Sequence, residues 1–68
     1  MIYITWYDLN DKKVKLKEFP TWEQGFEFAV NLENAYSIGI SNDKPDEEFL
    51  KAKEKLCAVK VKQWFEEW

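Results

Sequence analysis

Few side chains in this sequence could do acid–base or nucleophilic chemistry, and those few fall where a simpler purpose explains them. Asp8 and Asp11 flank Leu9 and Asn10, and Asp46, Glu47 and Glu48 follow one another directly after Pro45. Paired carboxylates can share a proton or hold a divalent cation, but neither group has the spacing of a calcium loop. Turn formation accounts for the first pair; the attraction of acids to the positive end of a helix dipole accounts for the second group. Cys57 is the only cysteine and there is no histidine. That combination excludes an internal disulfide, cysteine–histidine zinc sites, Ser-His and Cys-His catalysis and an imidazole pH switch. Cys57 sits in an apolar stripe at helical spacing and reads as a buried thiol. No nucleophile–base pair can be assembled, so the sequence points away from an enzyme, a metal and a cofactor.

Binding is the chemistry that remains. Sixty-eight residues make a single domain, 1–68, whose hydrophobic core is marginal at that size. Yet 18% of the residues are aromatic, and each such ring can bury roughly 150–250 Å². These rings can close a core without disulfides, and they are also more than so small a core holds. All ten basic residues are lysine, and the net charge is -3. The absence of arginine weighs against recognition of phosphate or guanine. One constellation argues the other way. If Tyr3 and Tyr7 share a strand face with Lys15 and Lys17, they resemble in kind the aromatic and basic sheet surfaces that bind RNA or single-stranded DNA. A nucleic-acid-binding module is therefore the alternative function, against ordinary cross-strand pairs or a face covered by a helix.

The elements that must carry these groups are legible. Ile2 to Leu9 alternates Ile2, Ile4 and Trp6 with Tyr3, Thr5 and Tyr7, a strand with two usable faces. Asn10 and Asp11 open a turn and tolerate the positive φ that tight hairpins need. Lys13 to Phe19 returns as a second strand, which Pro20 ends. Thr21 can then cap a helix through Asn34, with Gln24 completing a capping box. Trp22, Gly25, Ala29 and Leu32 form the stripe expected to face a sheet, and the glycine there implies close backbone approach. Ala35 to Ser41 alternates again, with Tyr36, Ile38 and Ile40 on the face expected under the helix.

From Pro45 onward two adjoining apolar stripes run at helical spacing. One is Phe49, Ala52, Leu56 and Val59; the other is Leu50, Cys57, Val61, Trp64 and Trp68. Residues 58–65 also alternate and could be a short strand, but the second stripe runs unbroken from Leu50 and favours helix. The expected fold is α+β, in the order β-β-α-β-α: a small, mainly antiparallel three-stranded sheet packed with two helices. A final helix longer than the strands would overhang the sheet and leave Trp64, Phe65 and Trp68 beyond the edge of the core. The competing expectation folds Trp64 and Trp68 back onto an open flank. Phe26 and Val30, off the first helix's core stripe, are expected to pack on the second helix or else to join the exposed patch.

Two runs carry a resemblance: Ile4-Thr5-Trp6-Tyr7-Asp8, and Phe19-Pro20-Thr21-Trp22-Glu23-Gln24-Gly25-Phe26-Glu27-Phe28-Ala29, with Lys12 and Lys13 between. Over about residues 2–41 the chain is similar to short β-β-α-β proteins of phages and mobile elements of low-GC bacteria. The resemblance implies a protein that acts by occupying a host protein, and it transfers no functional residue. The resulting expectation is a non-enzymatic protein-binding module, a phage-type inhibitor, able to form a homodimer. Its partner is a host protein or a second copy, held through Val61, Trp64, Phe65, Trp68, Phe26 and Val30 in an aromatic and acidic surface. With no basic leader and no apolar run near about 18 residues, a cytoplasmic location away from membranes is expected.

Overall fold

The computed structural model describes residues 1–66. Strands β1 (Ile2–Asp8) and β2 (Lys13–Phe19) are followed by helix α1 (Trp22–Val30), strand β3 (Ala35–Ser41) and helix α2 (Glu47–Glu66). The architecture is α+β, with an open antiparallel sheet in the order β2-β1-β3. Because β2 and β3 both run antiparallel to β1, they are parallel to each other, and α1 crosses over β1 to join them.

Both faces of β1 are covered, as two apolar faces on one strand require. Ile2, Ile4 and Trp6 point to one side and form a cluster with Phe19 and with Phe28, Ala29 and Leu32 from α1 and the turn after it. Tyr7 points to the other side and forms a second cluster with Cys57 and Val61 of α2, together with Leu9, Val14 and Tyr36. The sheet is thus a middle layer between the helices. Cys57 is a buried free thiol.

The elements begin and end for local reasons. Thr21 Oγ1 accepts from the Gln24 amide at 3.3 Å and starts α1. The helix stops at Val30, four residues before the expected Asn34. Asn31 forms its C-cap, and the Asn31 side chain bonds back to the Glu27 carbonyl at 2.8 Å. Asn34 then takes φ 55, left-handed, to turn into β3. In the hairpin the left-handed residue is Lys12 (φ 57), not Asn10 or Asp11 as expected. The Asp8 carboxylate accepts from the Asn10 amide at 3.0 Å, an Asx turn that shifts the reversal one step later. Asp46 Oδ1 accepts from the Phe49 amide at 2.8 Å and caps α2, which continues without a break through residues 58–65.

A bulge in β3 corrects the expected facing of that strand. Thr5 pairs with Gly39 but Tyr7 pairs with Tyr36, so β3 carries one extra residue there, and Ser37 has φ 57. The extra residue reverses the phase of the alternation. Tyr36 therefore faces α2 while Ile38 and Ile40 face the α1 side, and the three do not share one face.

Candidate functional site

The hairpin register separates the two halves of the aromatic–lysine face. Trp6 pairs with Lys15 and Ile4 with Lys17, so both lysines share a side with Ile4 and Trp6; Tyr3, Thr5 and Tyr7 pair with Glu18, Leu16 and Val14 on the other. Tyr7 is buried under α2, and that burial raises its pKa. Lys17 lies over the rings of Phe19 and Phe28, at 5.6 and 5.1 Å from their centroids. Lys15 bonds to Asp11 at 2.6 Å and to Asp8 at 2.7 Å. Tyr3, Tyr7, Lys15 and Lys17 therefore make no common surface, and the nucleic-acid reading loses its site.

Asp8 and Asp11 serve the turn through the same lysine. The hydrogen bond from Lys15 holds the Asp8 carboxyl below its ordinary 3.8, helped by the bond from the Asn10 amide. In return Asp11 and Asp8 raise the pKa of Lys15. Since the unfolded chain binds the Asp8 proton more readily, this stabilisation is present above pH 3.8 and is lost as the pH falls through the lower folded value. Thermal melts below pH 3.8 should accordingly show a shallower acid decline for Asp8→Asn than for the natural chain. Parallel slopes would mean the pair does nothing for the fold.

Lys53 is held between α2 and the sheet. Its Nζ donates to Thr5 Oγ1 at 2.9 Å, beside a cleft of about 390 Å³ lined in part by Gly39, Ile40 and Phe49. Burial lowers the Lys53 pKa, a shift that Cys57 partly opposes. A lysine beside a hydroxyl can act as a nucleophilic pair; Thr5 is only 3% exposed, and it lines this cleft together with Lys53. The bond latches α2 to β1, and the bond from the Val14 amide to Glu54 at 3.3 Å latches α2 to β2.

The residues expected to hold a partner fall in separate places. Val61 is buried against the sheet and leaves the surface altogether. Trp64 packs edge-on against Tyr36, with ring centroids 4.6 Å apart, so it folds back in part and stays half-exposed. Phe65 is 75% exposed. Trp68 lies outside the described residues. Phe26 and Val30 do not meet the second helix, because α1 and α2 lie on opposite faces of the sheet. Phe26 instead stacks on Trp22 at 5.0 Å, and Trp22, expected in the core, is exposed with it.

Two apolar surfaces emerge that residue spacing alone does not assign. On α2, the stripe Leu50, Cys57 and Val61 faces the sheet, so Phe49, Ala52, Leu56 and Val59 face solvent; Leu56 is 63% and Val59 53% exposed. The signal for it is the presence of two stripes on a helix that has only one layer to lie on. Lys55 and Lys60 border this stripe. The second surface combines Trp22, Phe26 and Val30 of α1 with Ile38 and Ile40 of β3, all exposed. Its signal was hidden by the β3 bulge. Among the described residues no helix is long and apolar enough to cross a membrane. Comparison with protein-family models, with curated proteins and with solved structures finds no match.

Proposed function

We propose that this chain is a non-enzymatic protein-binding module that works in the cytoplasm by occupying a bacterial host protein, as a phage-type inhibitor does. The observation that carries this reading is the solvent-facing stripe Phe49, Ala52, Leu56 and Val59. Spacings of three, four and three are those of a helix laid in an apolar groove. A folded domain gains nothing from leaving such a seam in water, since apolar area removed from water stabilises by about 25 cal/mol per Å². The rim is basic, with Lys55 and Lys60 beside the stripe, so the groove that receives it has acidic edges. Phe65, six residues past Val59, is exposed as well but projects from another face of the same helix and does not extend this stripe. The carboxylate-rimmed patch expected from the sequence belongs to the C-terminal aromatics; beside this stripe stand Lys55 and Lys60.

Capture from a lysate of a low-GC bacterium tests the reading. The natural chain should retain a host protein that Leu56→Asp loses, and Lys55→Glu combined with Lys60→Glu should weaken retention. Leu56 is exposed, so its substitution leaves the fold in place. Retention indifferent to all three changes would reject α2 as the binding element.

A further inference from the structure

From the arrangement around β3 we infer that this strand pairs with β3 of a second copy, joining two sheets into one of six strands about a two-fold axis. Helix α1 sits mainly over β1 and β2, while α2 reaches β3 at Tyr36, which packs with Cys57 and Val61 and against Trp64. The strand is left open at its outer edge and, at Ile38 and Ile40, exposed on the α1 side, at and beyond the bulge at residues 37 and 38. The two edges of the sheet differ in charge. The β2 edge carries Lys13, Lys15 and Lys17, the usual protection against pairing, whereas residues 35–42 contain no charged side chain.

The same edge is where the apolar surface gathers. On α1, Phe28 leans towards Phe19 of β2, and Trp22, Phe26 and Val30 occupy the opposite flank, on the β3 side. Ile38 and Ile40 continue that flank onto the α1 side of β3. Together these five side chains expose an apolar area on the order of 400 Å², within the range of the largest patch on a typical monomer, which is often a functional one.

A second copy fits this surface better than an arbitrary strand because the patch is complementary to itself. An antiparallel pair of identical strands is related by an axis perpendicular to the sheet, which keeps each face on its own side. Ile38 and Ile40 of both copies would then share one face, roofed by two Trp22–Phe26 stacks. With no charge between residues 35 and 42, this self-pairing opposes no like charges, while pairing through β2 would oppose lysines. On the other face Gly39 and Ser41 are small and leave the junction clear. A stable interface needs about 800 Å² per partner, a modest share of the 5308 Å² surface. The five apolar side chains supply about half of that, and the backbone of the edge strand adds the remainder.

Sedimentation equilibrium and light scattering across a concentration series test the proposal directly. The natural chain should reach twice 8.2 kDa, and Ile38→Lys should remain at the single-chain mass with an unchanged circular dichroism spectrum. Phe26→Glu reads the same interface from an exposed helical site if the strand variant fails to fold, and it too should be monomeric. Leu56→Asp, on the outer stripe of α2, should still dimerise, which separates this interface from host binding. A natural chain that stays monomeric at millimolar concentration overturns the proposal. So does a dimer that survives Ile38→Lys and Phe26→Glu but is lost in Leu56→Asp.

Discussion

Replacing Ile4 with alanine should cost about 2–5 kcal/mol, a large share of the about 3–10 kcal/mol that a domain of this length has in total. Ile4 is 0% exposed and sits in the central strand, with α1 directly above it. Its Cδ1 lies 3.3 Å from the point where a Gly25 side chain would begin. Truncation to alanine opens a space that neither side can fill. The strand is held between paired neighbours, and α1 is already in close contact beside it. Urea unfolding followed by tryptophan fluorescence measures the loss, with Val59→Ala as the exposed comparison expected within about 0.5 kcal/mol. An Ile4→Ala midpoint close to that comparison would mean that the α1 side of the sheet is not the main core.

The layered arrangement explains which parts of the fold could be read from the sequence. The alternation of β1 announces two apolar faces, and a strand of that kind needs cover on both sides. Pro20 and Thr21 mark the end of β2 and the start of α1 through local chemistry alone, and both positions match. What local patterning does not carry is the assignment of each helix to a face. By spacing alone Phe26 and Val30 suit contact with α2, whereas the sheet stands between the helices. The β3 bulge is equally silent in composition. Ser37 in the left-handed region is unusual for a serine, and it exists because Tyr36 is drawn into the Tyr7 cluster while Ile40 pairs with Ile4. That phase reversal leaves Ile38 and Ile40 on an uncovered strip, so the surface most suited to self-association was invisible until β3 had a register. Val61 fails as a surface residue for a related reason. Two stripes compete for one sheet, and it is Cys57 and Val61 that pack against Tyr7.

Gly25 is the second position where a large effect is expected, and here the direction changes with the size of the substituent. The glycine lies inside α1, where alanine would be favoured by roughly 1 kcal/mol on helix propensity alone. Against that gain, an added Cβ would lie 3.3 Å from both Ile2 Cγ2 and Ile4 Cδ1 and 3.7 Å from Phe19 Cδ2. Those first two contacts require the isoleucines to move by a few tenths of an ångström. For Gly25→Ala the opposing effects are similar in size, and the measured stability should change by less than about 1 kcal/mol. Gly25→Leu has no such balance. Its branched end would enter the volume of Ile2 and Ile4, and α1 could stay helical only by lifting away from β1. A loss of about 3 kcal/mol or more is expected, with the Trp6–Phe28 edge contact at 5.2 Å broken as the helix rises. Near-ultraviolet circular dichroism reads that contact separately from helix content. If Gly25→Leu instead gained stability as a better helix former would, α1 would not lie against the sheet, and the patch formed with β3 would lose its roof.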